Sequence, residues 1–212
     1  MYMPPHFTED RLPVLQDFIG RNPFATLVTL NSGGLVANHL PLLLDPEPAP
    51  HGRLIGHLAR ANNQWRDLNA DIQALAIFAG PQAYVSPSWY ATKAETGKVV
   101  PTWNYAAVHA YGALRIIEDT AWLRDLVGRL TTRHESGRAH PWKVEDAPED
   151  FVRAQLKGIV GIELTVERFE GKWKLSQNRP EADRLGTERG LSETGDPANA
   201  ALADMMAQTR GR

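Results

Sequence analysis

The chain has 212 residues and is 42% hydrophobic, which is enough to bury the core of one large domain, alone or with a small appendage. It contains no cysteine, which excludes a disulfide scaffold, a thiolate nucleophile, an iron–sulfur cluster and a cysteine-ligated zinc site. The net charge of −2 does not favour DNA binding, and the sequence has neither a signal-like start nor a long apolar run, so we expect a cytoplasmic protein with no membrane partner.

The first half of the chain predicts one amphipathic helix followed by short strands. Thr8 suits the N-cap of a helix over residues 9–20, in which Leu, Phe and Ile recur at helical spacing. Segments rich in β-forming residues follow, separated by Gly, Asn and Pro turn signals. The predicted elements are strands at 24–30, 35–44, 54–58, 74–79 and 83–86, a hairpin turn at 31–34, a proline-rich loop at 45–52, a short helix at 64–68 and a strand break at Gly80-Pro81.

The second half contains the longest β-like stretch and the clearest helix. The leucines and valine of residues 120–134 recur at the spacing of one helical face. The other predicted elements are a polar loop at 87–98, a strand at 99–118, a helix from Pro148 to Lys157, a hairpin of 159–169 and 172–176 that turns at Glu170-Gly171, and helices at 181–191 and 197–207. About seven strands joined mostly by hairpins predict an antiparallel β-barrel with peripheral helices, of the α+β class.

Familiar catalytic and nucleotide-binding motifs are missing from the sequence. It has no GxGxxG after a strand and no P-loop, which argues against a Rossmann or P-loop nucleotide site. It has no GxSxG elbow, so no serine is identified as the nucleophile of a hydrolase. The seven histidines show no ligand spacing, and we expect no metal site.

Four clusters combine polar and aromatic residues. Each cluster can be explained either by a functional site or by the needs of the fold. The first, residues 36–41, places Asn38, His39 and Pro41 in a strand, where a bulge or a strand edge would also explain them. The second, residues 56–65, leads from a strand into a helix start. Its His57, Arg60 and Asn62 form a donor set suited to a phosphate, although surface polar residues would look the same.

The other two clusters lie further along the chain. Residues 84–90 and 100–105 are rich in Trp and Tyr with Ser and Asn among them, which suits a planar ligand but also a core or a dimer contact. Residues 172–179 close the last strand with a dense array of donors, and a solvated strand end is the simpler explanation.

In this order, the clusters make the chain resemble the PaiB-type family of FMN-binding negative transcriptional regulators. The resemblance rests on MYMPPHF at the start, ANHLP at 37–41, GHLARANNQW at 56–65, YVSPSWY at 84–90, VPTWNY at 100–105 and KLSQNRPEADR at 174–184. It implies a split β-barrel like that of pyridoxamine phosphate oxidases. It also implies a homodimer with two FMN sites at the interface. Because the chain becomes polar beyond Asn178, we expect a barrel domain over residues 1–178 followed by a helical extension over 179–212.

The resemblance also implies a role for each motif residue. By analogy, Asn38, His39 and Leu40 lie beside the flavin, while Ala59, Arg60 and Asn62, with His57 nearby, hold the FMN phosphate. Tyr84 and Ser86 flank the isoalloxazine. Trp103, Asn104 and Tyr105 reach over from the other subunit, and Gln177 closes the site. The family label adds repression of transcription, but no helix-turn-helix signature or basic recognition helix accompanies it.

Three other interpretations of the protein's function fit the same residues. The first is a flavin-dependent oxidoreductase acting on an unidentified small molecule, with the same pocket. The second is a haem-binding split barrel, for which His39, His57 or His109 is a candidate axial ligand. The third is a dimeric scaffold without a ligand. Whether the protein is an enzyme is left open by the sequence.

Overall fold

The computed structural model describes residues 1–210 and has an antiparallel sheet with six helices around it. The strands are β1 (Thr8–Glu9), β2 (Phe24–Asn31), β3 (Gly34–Pro41), β4 (Leu43–Asp45), β5 (Arg53–Ala59), β6 (Ala74–Val85), β7 (Thr102–Ile117) and β8 (Ile159–Lys174). The helices are α1 (Leu12–Arg21), α2 (Ala91–Thr96), α3 (Thr120–Glu135), α4 (Glu149–Lys157), α5 (Glu181–Glu193) and α6 (Pro197–Gln208). Short 3-10 turns lie at Pro5–Phe7, Asn63–Trp65, Pro87–Trp89 and Val144–Asp146.

The strand order is β3-β2-β6-β7-β8-β5-β4, and β1 pairs with β8. The residues form two compact units, and the long strands β6, β7 and β8 each contribute residues to both. We call Ile19–Phe78 with His109–Phe169 the barrel unit. The terminal unit consists of Met1–Phe18, Ala79–Val108 and the described residues from Glu170 onward.

In the barrel unit the two ends of the strand order are joined by a single residue. Leu42 alone separates β3 from β4, and a Cβ at Gly56 of β5 would come within 2.6 Å of the Leu42 side chain and 3.1 Å of the Pro41 carbonyl oxygen. The sheet therefore curls back on itself within this unit, as the hairpin-rich sequence predicts. This confirms the antiparallel, α+β fold class.

The helix α3 covers one side of the barrel unit because its apolar residues recur on one face. Leu126 and Leu130 pack against Leu43 of β4 and Ile55 of β5. One turn away, Leu123 joins a second buried cluster with α4 and the turn before it, whose members are Val144, Val152 and Leu156. The predicted helices at 120–134 and after Pro148 are thus confirmed.

The prediction that Thr8 caps a helix from residue 9 is wrong. Thr8 and Glu9 form a short strand that pairs with Lys172 and Gly171 of β8, and α1 begins only at Leu12. The Thr8 hydroxyl donates to the Pro4 carbonyl instead of accepting from a helix N–H. A long-range strand pairing, which has no local signal, outweighs the local capping preference here.

Two strand breaks predicted at glycines are also wrong, because β6 runs through Gly80-Pro81 and β8 runs through Glu170-Gly171. A Cβ at Gly80 would lie 2.5 Å from the Phe18 ring. A Cβ at Gly171 would collide with the Leu15 side chain and lie 2.6 Å from the Glu9 carbonyl oxygen. These glycines are therefore sites of close packing in continuous strands. Glycine in a strand can mark such a close approach as well as a break or bend.

Three smaller differences concern segment boundaries. Residues 87–98, predicted as a loop, contain a 3-10 turn and α2, and Gly97 ends α2 in the left-handed conformation. The predicted strand at 35–44 is divided into β3 and β4. The two helices predicted after residue 180 are confirmed as α5 and α6. The domain boundary after residue 178 stays a prediction, and residues 211–212 of the predicted extension lie outside the described part.

Candidate functional site

Gln64 is the centre of a buried hydrogen-bond network in the barrel unit. Its side chain is 2% exposed. Its Nε2 donates to the Leu27 carbonyl at 3.0 Å, to the Thr29 hydroxyl at 3.2 Å and to the Val36 carbonyl at 3.3 Å. Its Oε1 accepts from Asn38 Nδ2 at 2.9 Å. The Gln64 amide thereby fixes the 3-10 turn after β5 to the β2–β3 hairpin.

The predicted site residues Asn38 and Asn62 both take part in this network. Asn62 Oδ1 accepts from the Gln64 backbone N–H at 2.9 Å and caps the turn Asn63–Trp65. Asn31 Nδ2 donates to the Gln64 carbonyl at 2.9 Å. Their amides are thus held by the fold, and they shape the segment that carries Arg60.

Arg60 lies directly after β5, beside the beginning of β8. Its Nε donates to the Lys157 carbonyl at 3.0 Å and its Nη2 to the Ile159 carbonyl at 3.2 Å. Its Nη1 forms a salt bridge with Glu118. Among the bonds within residues 1–210, these three use three of the five N–H donors of a guanidinium, which leaves two N–H groups for another acceptor.

The indole ring of Trp65 lies near the guanidinium groups of both Arg60 and Arg66. The ring centroid of Trp65 is 5.9 Å from the guanidinium carbon of Arg60 and 5.2 Å from that of Arg66. Arg66 also donates to the Arg60 carbonyl at 3.3 Å. Ala59, the residue before Arg60, is exposed. The segment 59–66 therefore presents two cations and a flat ring, a donor set that suits a phosphate group.

His57 has a different setting from the rest of its motif. It is half-buried on β5 and lines a cavity of about 260 Å³ together with apolar side chains that include Trp142 and Phe151. Burial lowers the pKa of its imidazole. Within residues 1–210, its Nδ1 atom has no hydrogen-bond partner. The neutral ring is thus the favoured form.

His39 and Leu40 point in opposite directions from β3, as neighbours on a strand do. His39 is exposed, with Nδ1 2.9 Å from the Thr26 hydroxyl and its ring stacked on Phe24 at 6.2 Å between centroids. Leu40 is buried in the core. The exposed rings of His39 on β3 and Phe24 on the neighbouring strand β2 form a flat surface.

In the terminal unit, Tyr84 and Trp103 form an exposed aromatic pair. Each side chain is 50% exposed, and the ring centroids are 6.5 Å apart in an edge-to-face arrangement. Trp103 Nε1 donates to Gln82 Oε1 at 3.2 Å. Ser86 accepts from the Ser88 N–H and caps the turn Pro87–Trp89, so its hydroxyl has a structural partner.

The remaining predicted residues of the terminal unit are less exposed. Asn104 is fully buried and its Nδ2 donates to the Ser176 hydroxyl at 2.9 Å. Tyr105 is half-buried, with the Lys172 ammonium 5.4 Å from its ring centroid. Gln177 uses both ends of its amide on its own turn, accepting from the Leu175 N–H and donating to the Trp173 carbonyl.

The structure therefore groups the predicted residues into two sets. The barrel unit holds Asn38, His39, Leu40, His57, Ala59, Arg60 and Asn62. The terminal unit holds Tyr84, Ser86, Trp103, Asn104, Tyr105 and Gln177. Sequence reasoning missed the organising role of Gln64, although Gln64 lies within a motif it singled out. A buried amide cannot be distinguished from a surface one by residue type alone.

The described part of the chain offers neither a metal-binding cluster nor a membrane-spanning helix. Residues 1–210 contain no group of three or more His, Asp and Glu side chains placed to hold a metal ion. None of the helices in that range is both long enough and apolar enough to cross a membrane.

Comparison with known proteins gives consistent matches. Residues 1–168 match the family model described as "Putative FMN-binding domain". The chain is 35% identical to the protease synthase and sporulation protein PAI 2 of Bacillus subtilis over 97% of its length and 96% of that protein.

Two solved structures share the fold at low sequence identity. The conserved hypothetical protein Rv2991 of Mycobacterium tuberculosis is 13% identical, with a TM-score of 0.58 over 85% of this chain and 95% of that one. The FAD and heme binding protein of Mycobacterium smegmatis is 15% identical, with a TM-score of 0.59 over 84% of this chain and 78% of that one.

Proposed function

Because this chain belongs to the PaiB-type family of FMN-binding split-barrel proteins, we propose that it is a homodimer that holds the FMN phosphate at the segment around Arg60. The observation that carries the proposal is the Arg60 guanidinium, held by two backbone carbonyls with two N–H donors to spare. A phosphate monoester carries about −1.5 to −2 charge near neutral pH, which Arg60 and the neighbouring Arg66 would balance.

The chain's own residues would bind and orient the cofactor. FMN, when bound, supplies hydride and electron-transfer chemistry. The Gln64 network fixes the segment through Asn62, so the donors of Arg60 are positioned before any ligand arrives. The salt bridge to Glu118 is exposed on the carboxylate side, so solvent screens it and a phosphate can compete for the same guanidinium.

Homodimerisation is supported by the aromatic surface of the terminal unit. Tyr84 and Trp103 expose half of their side chains, and exposed aromatic rings of this kind mark contact sites. In the barrel unit, Phe24 of β2 and His39 of β3 add two further exposed rings. A flavin ring needs flat apolar walls, which these side chains would supply when two chains meet.

If the protein acts as a regulator, direct recognition of DNA by the helices α5 and α6 has weak support. The helices α5 and α6 follow each other with a short turn between them, as in a helix pair that binds DNA. Yet α6 contains neither Lys nor Arg, whereas a recognition helix needs basic residues to approach the phosphates. We therefore expect any effect on transcription to be indirect, and DNA binding by the isolated protein to be weak and non-specific.

The test separates the phosphate from the fold by means of two flavins. FMN and riboflavin are titrated into the wild type, Arg60→Ala and Glu118→Gln, and each protein is melted without ligand. Loss of a charge-assisted bond of about 1.5–3 kcal/mol should weaken FMN binding about ten- to a hundredfold in Arg60→Ala, with riboflavin affinity unchanged. Glu118→Gln removes the competing carboxylate, so FMN affinity should be kept or increased.

The matched control is Arg153→Ala, which removes an exposed arginine of α4 in the same unit. It should leave both flavin affinities at the wild-type level. If Arg60 serves only the fold, Arg60→Ala and Glu118→Gln should lower the melting temperature together, and the affinities for FMN and riboflavin should fall by the same factor.

A further inference from the structure

A small cavity in the terminal unit lies at the end of β8 and is lined by basic and amide side chains. Its volume is about 110 Å³, and Lys174, Arg179, Asn104 and Ser176 are among the lining residues. The Lys174 ammonium donates to the Thr102 hydroxyl and the Trp103 carbonyl, each at 2.5 Å, and an ammonium has one further N–H. The cavity is therefore small, polar and fixed at one end by a held lysine.

The charge around this cavity is positive and uncompensated. Lys172, Lys174 and Arg179 form no salt bridge with any described carboxylate in residues 1–210. Burial lowers the pKa of Lys174, and the nearby charges of Lys172 and Arg179 lower it further. Lys172 is buried and Lys174 and Arg179 are half-buried, and cations grouped away from water are unfavourable unless an anion balances them.

Asn104 supplies an independent indication of a ligand. Its side chain is 0% exposed, and among the described residues its Oδ1 has no hydrogen-bond donor, while its Nδ2 is used by Ser176 and Met206. A buried amide oxygen without a donor costs about 1–3 kcal/mol. A group bound in the cavity that carries both acceptor oxygens and a hydroxyl would satisfy the cations and this oxygen together.

Ser176 holds the wall of the cavity in an unusual conformation. It is a buried non-glycine residue with a positive φ of 63°. Such backbone conformations persist where the surrounding structure fixes them, and they occur often at ligand sites. Here the Asn104 amide bonds the Ser176 hydroxyl at 2.9 Å, so the strained residue and the unsatisfied amide are parts of one arrangement.

We propose that this cavity binds a protonated oxyanion group, of which hydrogen phosphate is the simplest example. Lys174 and Arg179 would donate to its oxygens, and its hydroxyl would donate to Asn104 Oδ1. The group belongs either to a second small ligand or to FMN itself. A second ligand would leave the assignment of Arg60 intact. Since FMN has a single phosphate, FMN bound here would be held by this cavity in place of Arg60. A fully deprotonated oxyanion such as sulfate lacks the hydroxyl donor and should bind more weakly than phosphate.

The experiment uses calorimetric titration of inorganic phosphate, with sulfate as the comparison, into the FMN-loaded protein and into the flavin-free protein. Lys174→Met keeps the stem of the side chain and removes the charge, while Arg179→Gln removes a guanidinium whose side-chain contact is the Tyr90 ring at 4.7 Å. Each should weaken phosphate binding about tenfold or more. Lys98→Met, which removes an exposed lysine of the same unit, should leave it unchanged.

Titration of FMN and riboflavin into the same variants identifies the source of the anion. If phosphate binds the FMN-loaded protein and the two variants lose it while FMN affinity is kept, the cavity serves a second ligand. If phosphate binds only the flavin-free protein and the variants weaken FMN but not riboflavin, the cavity holds the FMN phosphate. Either result supports the proposal.

Two results would overturn it: phosphate affinity equal in Lys174→Met, Arg179→Gln and Lys98→Met, or no phosphate binding in either form together with unchanged FMN affinity in the variants. Ligand-free melting curves show whether a variant has lost its fold, and Arg179→Gln provides the decisive readout if Lys174→Met unfolds. A wild type that binds no flavin would contradict the proposed function, whereas phosphate titration of that same protein would still test the cavity.

Discussion

Gln64 joins segments of the chain that the sequence presents as separate polar clusters. The Gln64 side chain is almost completely buried and bonds to β2 and β3, while Gln64 itself lies in the turn after β5. Asn38 and Asn62, which the motifs suggest as cofactor ligands, are both bonded to it. At the scale of single residues, then, motif residues divide between those that hold the segment and those, such as Arg60, whose donors remain available.

Replacing Gln64 by Leu should destabilise the protein without creating a cavity, because the two side chains are of similar size. The change leaves the Asn38 amide and the carbonyls of Leu27 and Val36 without their partner. Each unsatisfied buried group costs about 1–3 kcal/mol, so we expect a loss of at least about 2 kcal/mol in the free energy of unfolding. Urea unfolding curves measure this.

The neighbouring exposed residue provides the control for Gln64. Asn63→Leu changes an amide to the same apolar side chain one position away, on the surface. It should shift the free energy of unfolding by less than about 0.5 kcal/mol. An equal loss in both variants would mean that the buried network is not what stabilises the turn.

His57 should make the stability of the protein sensitive to mild acid. Burial lowers the pKa of its imidazole below the ordinary value of 6.5, so the unfolded chain binds a proton at a higher pH than the folded chain does. Stability present above pH 6.5 is therefore lost as the pH falls from 6.5 through the lower folded-state pKa. The fall in melting temperature between pH 7.5 and pH 5.5 should be larger in the wild type than in His57→Gln.

His134→Gln is the matched control for this pH dependence, since His134 is exposed in the last turn of α3. It should retain the wild-type difference between the two pH values. A wild-type difference that also persists in His57→Gln would show that other groups cause the acid sensitivity.

At the scale of elements, small residues decide where helices and strands approach each other. The helix α5 packs against the segment before α2, and a Cβ at Gly190 would collide with the Trp89 ring. Asp183 on the same helix is buried and accepts from the Thr92 N–H at 2.9 Å and its hydroxyl at 3.0 Å. The helix α5 is thereby tied to residues 87–96 by close packing against Trp89 and by one buried carboxylate.

Two Gly→Ala substitutions in helices should change stability in opposite directions. Gly190→Ala forces the Trp89 ring to move, and overpacking of this kind costs about 1–3 kcal/mol. Gly128→Ala in α3 meets no atom within 4 Å of its Cβ, so the better helix propensity of Ala should stabilise the protein by up to about 1 kcal/mol. Thermal unfolding of both variants tests the packing argument, and destabilisation by Gly128→Ala would contradict it.

At the scale of the whole molecule, the exposed aromatic residues are the feature most in need of a partner. Tyr84 and Trp103 in the terminal unit and Phe24 on β2 in the barrel unit are all exposed. Within the terminal unit, Tyr84 and Trp103 form a paired exposed aromatic patch, and such patches mark contact sites. Tyr84 and Trp103 lie in the motifs that the family resemblance assigns to a cofactor site shared by two subunits.

A charged residue introduced into this aromatic surface should therefore abolish dimerisation and flavin binding together. Trp103→Glu should convert a dimer into a monomer in light scattering at micromolar concentration, and FMN affinity should fall in parallel. Trp142→Glu is the control, because Trp142 is 48% exposed but lies in the other unit beside the His57 cavity. A wild type that is monomeric with and without FMN would contradict the shared site.

The sequence by itself determined the fold class, the family and most of the helices. These depend on local periodicity, such as that of α3, and on ordered motifs along nearly the whole chain. Only the tertiary structure decided the roles of Thr8, Gly80 and Gly171, because β1 pairs with β8 and the glycines pack against distant side chains. It also decided that Asn38 bonds to Gln64, and that Lys174 lies beside other cations without an acidic partner among residues 1–210. Burial and partnership depend on residues far apart in the chain, so no local pattern specifies them.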